Sequence, residues 1–390
     1  MGIGRRPGRG RLALATAAVA ALASGALAAC TPTPSAPVPT ATSISDLSVS
    51  AARTATPVTA TIRWRLVTVP GRPVTCRLDT DGDGTDDRTV PSCPSQGDAL
   101  VQYTTPGTVV VRLAVDDGVG APSTRTVAVN AVAGSTEPFD ITLEIAPSMP
   151  AELRGAFEVA AARWERVITT GWASEQLSIP EGFLGWMPAF DGQVDDLLIE
   201  ARAIEMDGPR NLLGHAGALL YRSSNGQPYF GVMEFDTADL DRLASLGRLD
   251  DVVTHEMGHV LGLGANWALE GRLDDLLTDP TYNGPAGVAA WHELGGTGKV
   301  PVEDQGGAGT AIAHWRESTF NDELMTGYSD PDERLSRLTV AALADRGYGV
   351  DLSAAEPYTL PPQGAAVRSP SAEDDIGHVD PVAPLAGPPA

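Results

Sequence analysis

The sequence predicts an α+β body preceded by a small all-β domain. In residues 45–133, short alternating runs of apolar and polar residues are separated by turns rich in Gly, Pro and Asp. This pattern is typical of an antiparallel sandwich. Beyond residue 138, strand-like runs alternate with longer segments of helical period, and one of these carries two histidines four residues apart. We therefore expect two units, with the chemistry in the second.

The first 29 residues have the organisation of a leader. Four arginines precede an apolar run at 12–29, which ends in Leu27-Ala28-Ala29-Cys30. This order resembles a bacterial lipoprotein signal peptide. The resemblance implies cleavage before Cys30, acylation of that cysteine, and an extracytoplasmic protein anchored to the cell membrane through lipid. A signal anchor that stays uncleaved is the alternative.

Segments rich in Pro border the folded part at both ends. Residues 30–44 are rich in Pro and Thr and lack an apolar pattern, so we expect an extended spacer. Residues 353–390 are rich in Pro and Ala, and we expect a disordered tail.

The all-β domain spans 45–133, and its predicted strands are 58–67, 73–78, 100–103, 108–115 and 125–132. Trp64, the segment 103–107 and the turn 115–118 resemble a polycystic-kidney-disease-type or related immunoglobulin-like module. The resemblance implies a domain that binds or spaces and does not catalyse.

An acidic loop lies inside this domain. Asp79, Asp81 and Asp83 alternate, a glycine follows where a calcium loop bends, and Asp87 holds the ninth position. The twelfth position is Val90, where a full EF-hand has glutamate. We expect a weak structural calcium site, and the alternative is an acidic turn without an ion.

The cysteines fit a secreted protein. Cys76 and Cys93 flank the acidic loop at a short separation, and we expect them to form a local disulfide, because Cys30 is assigned to the lipid.

The second domain is expected over 138–352. A strand at 139–145 and a helix at 151–168 are followed by strands at 196–203, 216–221 and 229–235. This order indicates a helix packed on a twisted sheet ahead of the histidine-bearing helix, and the length suffices for a full core.

The histidine-bearing helix is predicted at 249–262. It contains His255-Glu256-Met257-Gly258-His259, begins with acidic residues and ends at Gly262. Residues i and i+4 share a helix face, so His255 and His259 can bind one metal ion. Glu256 lies one residue further round the helix than His255, so it can reach a water molecule bound to the metal but not the metal itself. The spacing predicts a zinc site of hydrolytic type.

A catalytic zinc ion usually has three protein ligands. His314 is the candidate for the third, because its setting resembles that of the third zinc ligand in a known peptidase family: Trp315 follows it and Glu323-Leu324-Met325 comes shortly after. His292 is the rival, although no similar methionine follows it. His215 and His378 are weaker candidates, the latter because it lies in the predicted tail.

These motifs resemble the metzincin peptidases, and among them the leishmanolysins. Gly262 and Met325 match the glycine after the helix and the methionine turn below the metal. Most metzincins place the third histidine at the position of Ala265, whereas leishmanolysins insert a long segment before it, as here. The resemblance covers 139–352. It implies a zincin fold and a zinc metalloendopeptidase in which His255, His259 and His314 bind zinc.

The implied mechanism gives Glu256 the roles of general base and then general acid. Tyr328 is a weaker candidate for stabilising the oxyanion. The net charge of −23 argues against nucleic acid as a partner, and the expected substrates are proteins or peptides.

Two other functions remain open. One is a calcium-stabilised surface binding or adhesion lipoprotein with a vestigial zincin domain. The other is a zinc hydrolase that acts on something other than a peptide bond.

Overall fold

The computed structural model describes residues 39–362, except 210, 211, 265 and 308. The predicted leader with Cys30, most of the spacer, and His378 lie outside the described residues. Within the described ranges, no helix has both the length and the hydropathy required to cross a bilayer.

Residues 43–131 form two antiparallel sheets. The first has the order β1-β2-β5, and the second has the order β4-β3-β6-β7. Their bounds are β1 Ser43–Ser50, β2 Val58–Val67, β3 Thr75–Asp79, β4 Arg88–Val90, β5 Gln96–Tyr103, β6 Gly107–Asp116 and β7 Ser123–Ala131. Apolar side chains of both sheets meet in one buried cluster that includes Ile62, Trp64 and Leu113. A disulfide joins Cys76 to Cys93.

A four-stranded sheet organises the rest of the chain. Its order is β12-β13-β11-β8, with bounds Gly214–Tyr221, Pro228–Asp236, Leu197–Ile204 and Ile141–Ile145 respectively. β11 is parallel to both of its neighbours, whereas the edge strand β12 is antiparallel to β13. The strands alternate between two apolar clusters, because successive side chains point to opposite faces. One cluster includes the helices, and the other includes the hairpin of β9 (Glu175–Ile179) and β10 (Phe190–Val194).

Three helices follow from local sequence signals. They are α1 (Gly155–Val167), α2 (Thr237–Ser245) and α3 (Leu249–Val260), and α2 begins where Asp236 accepts a hydrogen bond from the amide of Ala238. α1 packs on α3, and the Trp164 indole nitrogen donates to the carbonyl oxygen of Thr254 at 2.9 Å. α3 also lies close against β13, since a Cβ at Gly231 would stand 2.4 Å from Val260. The helix of the histidines is thus held between α1 and the sheet.

The segment after α3 makes a second layer. A small sheet of β14 (Leu273–Asp274), β15 (Thr281–Tyr282) and β16 (Val300–Pro301) accompanies α4 (Pro285–Glu293), and α5 (Glu317–Phe320) and α6 (Arg337–Asp345) follow. α4 packs on α6 on one side and on β2 and β5 on the other. Leu100 of β5 belongs to the same buried cluster as the residues of α4 and α6. The β-rich region and the helical body therefore share a core.

The mixed α/β organisation expected from the sequence is confirmed. The predicted start of a disordered tail at residue 353 is wrong as far as residue 362. A 3₁₀ helix covers Leu352–Ala354, Glu356 pairs with Arg163 at 3.0 Å, and the Tyr358 hydroxyl donates to the carbonyl oxygen of Phe320. These anchors are single side chains on an extended segment, so they produce no periodic pattern in the sequence.

Candidate metal centre

Two histidines of α3 lie together in the interior. His255 and His259 are 0% and 2% exposed, and their Nε2 atoms are 3.0 Å apart. His255 Nδ1 donates to the carbonyl oxygen of Leu324 at 2.7 Å, and His259 Nδ1 donates to that of Leu263 at 2.9 Å. These contacts place the ring protons on Nδ1, so both Nε2 atoms keep a lone pair.

His314 completes a triangle with these two residues. Its Nε2 lies 3.1 Å from the Nε2 of His255 and 3.1 Å from that of His259, and its Nδ1 donates to the carbonyl oxygen of Thr310 at 2.9 Å. Three nitrogens bound tetrahedrally to one zinc ion would stand roughly 3.3 Å apart. Three lone pairs facing one another without a proton between them need a cation, so this donor set fits zinc.

Burial favours the neutral, metal-binding form of the imidazoles. It lowers the pKa of His255 to about 3, with a further lowering by His259. It likewise lowers the pKa of His259 to about 3, with a further lowering by His314. Near neutral pH, these imidazoles therefore carry no proton on Nε2 that a metal ion would have to displace.

Glu256 is fully buried beside this triangle. Within the described part of the chain, neither of its carboxylate oxygens has a hydrogen-bond partner. Burial raises the pKa of Glu256 well above its ordinary value. A buried carboxylate without a partner is costly unless something absent from the chain itself completes the site. The oxygens of Glu256 fit a site that takes up water and substrate.

The turn with Met325 packs against the middle of α3. Met325 is 1% exposed, and a Cβ at Gly258 would lie 2.7 Å from its sulfur atom. Gly258, the fourth residue of the motif, therefore admits the methionine. The sequence motif includes this glycine without revealing its role, which depends on a contact with a distant turn.

Two glycines turn the chain after α3. Gly262 has φ +92°, and a Cβ there would lie 2.4 Å from the Arg346 guanidinium. Gly264 has φ +68°, and a Cβ there would lie 1.9 Å from the carbonyl oxygen of Ala313. Because Ala313 precedes His314, this close approach brings the third histidine back to the helix. The sequence does not predict the role of Gly264, because this role depends on a contact with Ala313, which is distant along the chain.

Other histidines have different partners. His215 on β12 contacts the carboxylate of Glu234 on β13. His292 on α4 contacts both carboxylate oxygens of Asp98 at 2.9 and 3.0 Å. The structure thus does not bring His292, the rival third ligand, to the triangle. Tyr328 is buried, and its role at the oxyanion stays a prediction.

The acidic loop brings part of its predicted set together. Carboxylate oxygens of Asp79, Asp81 and Asp87 lie within 4.8 Å of one another, and Asp83 is not in this group. Asp79 accepts hydrogen bonds from the amides of Gly82 and Gly84, at 2.8 and 3.0 Å. The loop is therefore folded partly by its own hydrogen bonds, and calcium at this position stays a prediction.

Comparison with known proteins gives a consistent result. The family model described as leishmanolysin matches residues 217–363, which include the three histidines and Met325. Leishmanolysin of Leishmania donovani is 34% identical over 149 residues, which are 34% of this chain and 24% of that protein. A leishmanolysin homolog of Crithidia fasciculata is 35% identical over 137 residues, covering 32% and 20%. A leishmanolysin-like peptidase of Drosophila melanogaster is 33% identical over 99 residues, covering 24% and 14%.

The chain spans about a quarter or less of the length of these relatives. The resemblance predicted from the sequence is confirmed for the matched part, which is leishmanolysin-like. It coincides with the region that carries the candidate metal centre.

Proposed function

We propose that this chain is a zinc-dependent endopeptidase of leishmanolysin type, anchored outside the cytoplasm through lipid. One observation carries the proposal. Three neutral imidazoles converge beside a buried carboxylate that has no partner of its own. The leishmanolysin-like stretch contains the three histidines.

The chemistry divides between the ion and Glu256. Zinc bound by His255, His259 and His314 would lower the pKa of a water molecule and polarise a substrate carbonyl. Glu256 then takes the proton of the attacking water and gives it to the amide nitrogen that leaves. Its position beside the three imidazoles suits this role, and burial raises the pKa of Glu256, which favours uptake of the proton from water.

An extended peptide would bind along β12. In the described part of the chain this strand pairs on one side only, with β13, and it packs against α3. An edge strand offers unpaired backbone groups to which a peptide can add as a further strand. Such a substrate would lie beside the helix that carries Glu256, with its carbonyl groups in reach of the site.

The N-terminal part would anchor and space the catalytic body. We assign residues 1–29 to a signal peptide, Cys30 to the lipid and 45–133 to an immunoglobulin-like domain. The two antiparallel sheets and their common apolar cluster support the last assignment. Replacing Cys30 by Ser should release the protein from membranes or stop its maturation, and cell fractionation would show either result. Unchanged membrane retention of a processed mutant would refute the lipid anchor.

Zinc content and cleavage of casein test the enzymatic proposal directly. Wild-type protein should contain about one zinc per chain and cleave casein. Glu256→Gln should retain the fold and the zinc and lose roughly 10²- to 10⁴-fold in rate, because the amide cannot take the proton.

Two histidine variants separate the ligands. His314→Ala should lose most of the zinc, whereas His292→Ala should keep it, since His292 contacts Asp98 instead. Should zinc-loaded wild type cleave no unfolded protein, the chain would be a binding or adhesion protein with a vestigial zincin domain.

A further inference from the structure

Glu323, two residues before Met325, is completely buried and accepts hydrogen bonds on both oxygens. Oε2 accepts from the amide of Met325 at 2.7 Å. Oε1 accepts from the hydroxyls of Ser336 at 2.6 Å and Thr339 at 2.5 Å, and from the Ser336 amide at 3.4 Å. Burial raises the pKa of Glu323, and these donors act in the opposite direction. The side chain ties the methionine turn to the first turn of α6.

The anchor on α6 is itself fixed. The Ser336 hydroxyl accepts from the amide of Leu338 at 3.2 Å and so caps the helix. The Thr339 hydroxyl accepts from the Trp315 indole nitrogen at 2.8 Å. Each hydroxyl thus uses an acceptor site for another group and keeps its proton for Glu323. Every one of these contacts to Glu323 comes from a donor, as a carboxylate requires.

The other oxygen of Glu323 acts on one particular peptide unit. The amide of Met325 and the carbonyl of Leu324 belong to the same planar group. Glu323 holds the amide end, while the carbonyl end accepts from Nδ1 of His255 at 2.7 Å. The amide of Leu324 in turn donates to the carbonyl oxygen of Arg334 at 2.9 Å. Rotation of the Leu324–Met325 peptide unit would therefore break the hydrogen bond between His255 and the carbonyl oxygen of Leu324.

We propose that Glu323 is a positioning residue for the zinc ligand His255. It acts through the Leu324–Met325 peptide unit, which fixes the ring orientation and keeps the proton on Nδ1. A negatively charged acceptor at the amide end also polarises the peptide and strengthens the carbonyl as an acceptor. The inference rests on the proposed zinc site and extends it beyond the three ligands.

Asp345, the last residue of α6, provides a matched control, because it also is a buried carboxylate that joins α6 to another part of the chain. It is 3% exposed, and its carboxylate accepts from the amides of Ala286 and Gly287 at 2.8 and 2.9 Å and from the Tyr282 hydroxyl at 3.0 Å. It ties α6 to α4 as Glu323 ties α6 to the methionine turn. Its contacts, however, do not include the peptide unit that meets His255.

The experiment compares Glu323→Gln with Asp345→Asn in the full chain. Zinc affinity is measured by competition with a chelator, the geometry of the site by the visible spectrum of the cobalt-substituted protein, and the fold by thermal unfolding. Both variants should lower stability. Only Glu323→Gln should weaken zinc binding, by about 10-fold, and alter the cobalt spectrum, because loss of an outer partner typically costs 10- to 100-fold in metal affinity.

Unchanged zinc affinity and cobalt spectrum in folded Glu323→Gln would overturn the proposal. Equal weakening by Asp345→Asn would overturn it too, because the effect would then be general loosening. If Glu323→Gln does not fold, Thr339→Val is the second variant, because it removes one donor to the carboxylate of Glu323. Thr339→Val should also weaken zinc binding. An unchanged zinc affinity in this variant would overturn the proposal. Wild type that binds zinc without cleaving peptides would defeat the proposed function alone, since all of these readouts are independent of cleavage.

Discussion

At the scale of single residues, the position of the third histidine depends on backbone that has no room for a side chain. Gly264 combines a left-handed conformation with a close approach to the carbonyl oxygen of Ala313. A methyl group there cannot fit without moving the segment that carries His314. This close approach is one of the contacts that hold the segment before His314 against the end of α3.

Gly264→Ala should therefore weaken zinc binding by at least about 10-fold, the range seen when support of a ligand is lost. Gly271→Ala is the control, because Gly271 has nearly the same φ, +64°, and a Cβ there would have no neighbour within 4 Å. It should show only the conformational cost, about 1–2 kcal/mol. Equilibrium zinc titration and thermal unfolding of both variants test this, and equal zinc affinities would contradict it.

The sequence predicts which residues carry the chemistry better than it predicts which residues hold them in position. His255, Glu256 and His259 follow from the periodicity of a helix, because their relation is local. Gly258, Gly264 and Glu323 depend on contacts with parts of the chain that are distant in sequence. Gly258 and Glu323 lie in motifs that the sequence shows, but their neighbours do not reveal what they support, and nothing next to Gly264 distinguishes it from an ordinary residue.

At the scale of elements, the sequence predicts most of the longer strands, including the buried β11 and β13, whereas the short strands and α4 escape prediction. The predicted strand 58–67 coincides with β2, whereas β4 has only three residues and β9 and β10 lie in a hairpin without clear alternation. α4 was missed because it packs on both α6 and β5, so it is apolar around most of its circumference. An apolar stripe, the usual signal of a helix, is then absent.

The acidic loop makes a prediction at this scale. If it binds calcium, calcium at about 10 mM should stabilise the protein by about 1–3 kcal/mol, as expected for weak extracellular sites. Asp81→Asn should remove this effect. Asp86→Asn removes the same charge from the same loop but should retain it, because Asp86 pairs with Arg77 and Arg112. Thermal unfolding with saturating zinc measures the difference, and no calcium effect in wild type would eliminate the site.

At the scale of the whole molecule, the β-rich region is joined to the helical body by charged pairs as well as by core residues. His292 on α4 donates from Nδ1 to Asp98 of β5 and from Nε2 to the carbonyl oxygen of Gly298 at 2.8 Å. Both ring nitrogens face acceptors, and this arrangement favours the protonated form of the imidazole. Nearby, Arg88 on β4 pairs with Glu293 at 3.3 Å.

The hydrogen bond with Asp98 raises the pKa of His292, against the effects of partial burial and of Arg63. A raised pKa in the folded state means stability that is fully present below the unfolded value of about 6.5 and is lost as pH rises through the folded value. Asp98→Asn should thus destabilise the protein near pH 5.5, by about 1 kcal/mol or less since the pair is partly exposed, and should have less effect near pH 9.

Arg88→Gln is the control for this pH dependence. It removes a second ion pair between the same two regions, and this pair contains no histidine. Chemical denaturation of both variants across this range makes the comparison. An effect of Asp98→Asn that does not change with pH would show that the pair contributes no proton linkage.

The distance along the chain between the second and third histidines has a consequence for timing. His255 and His259 meet as soon as one helical turn forms, but His314 lies 55 residues beyond His259. Closing a flexible loop of that length costs roughly 3–4 kcal/mol of chain entropy, which only the finished packing around Gly264 and α6 repays. A newly made or still extended chain therefore has two ligands and no complete site. Under the proposed function, the chain would gain its activity only when folding has brought the third ligand into place.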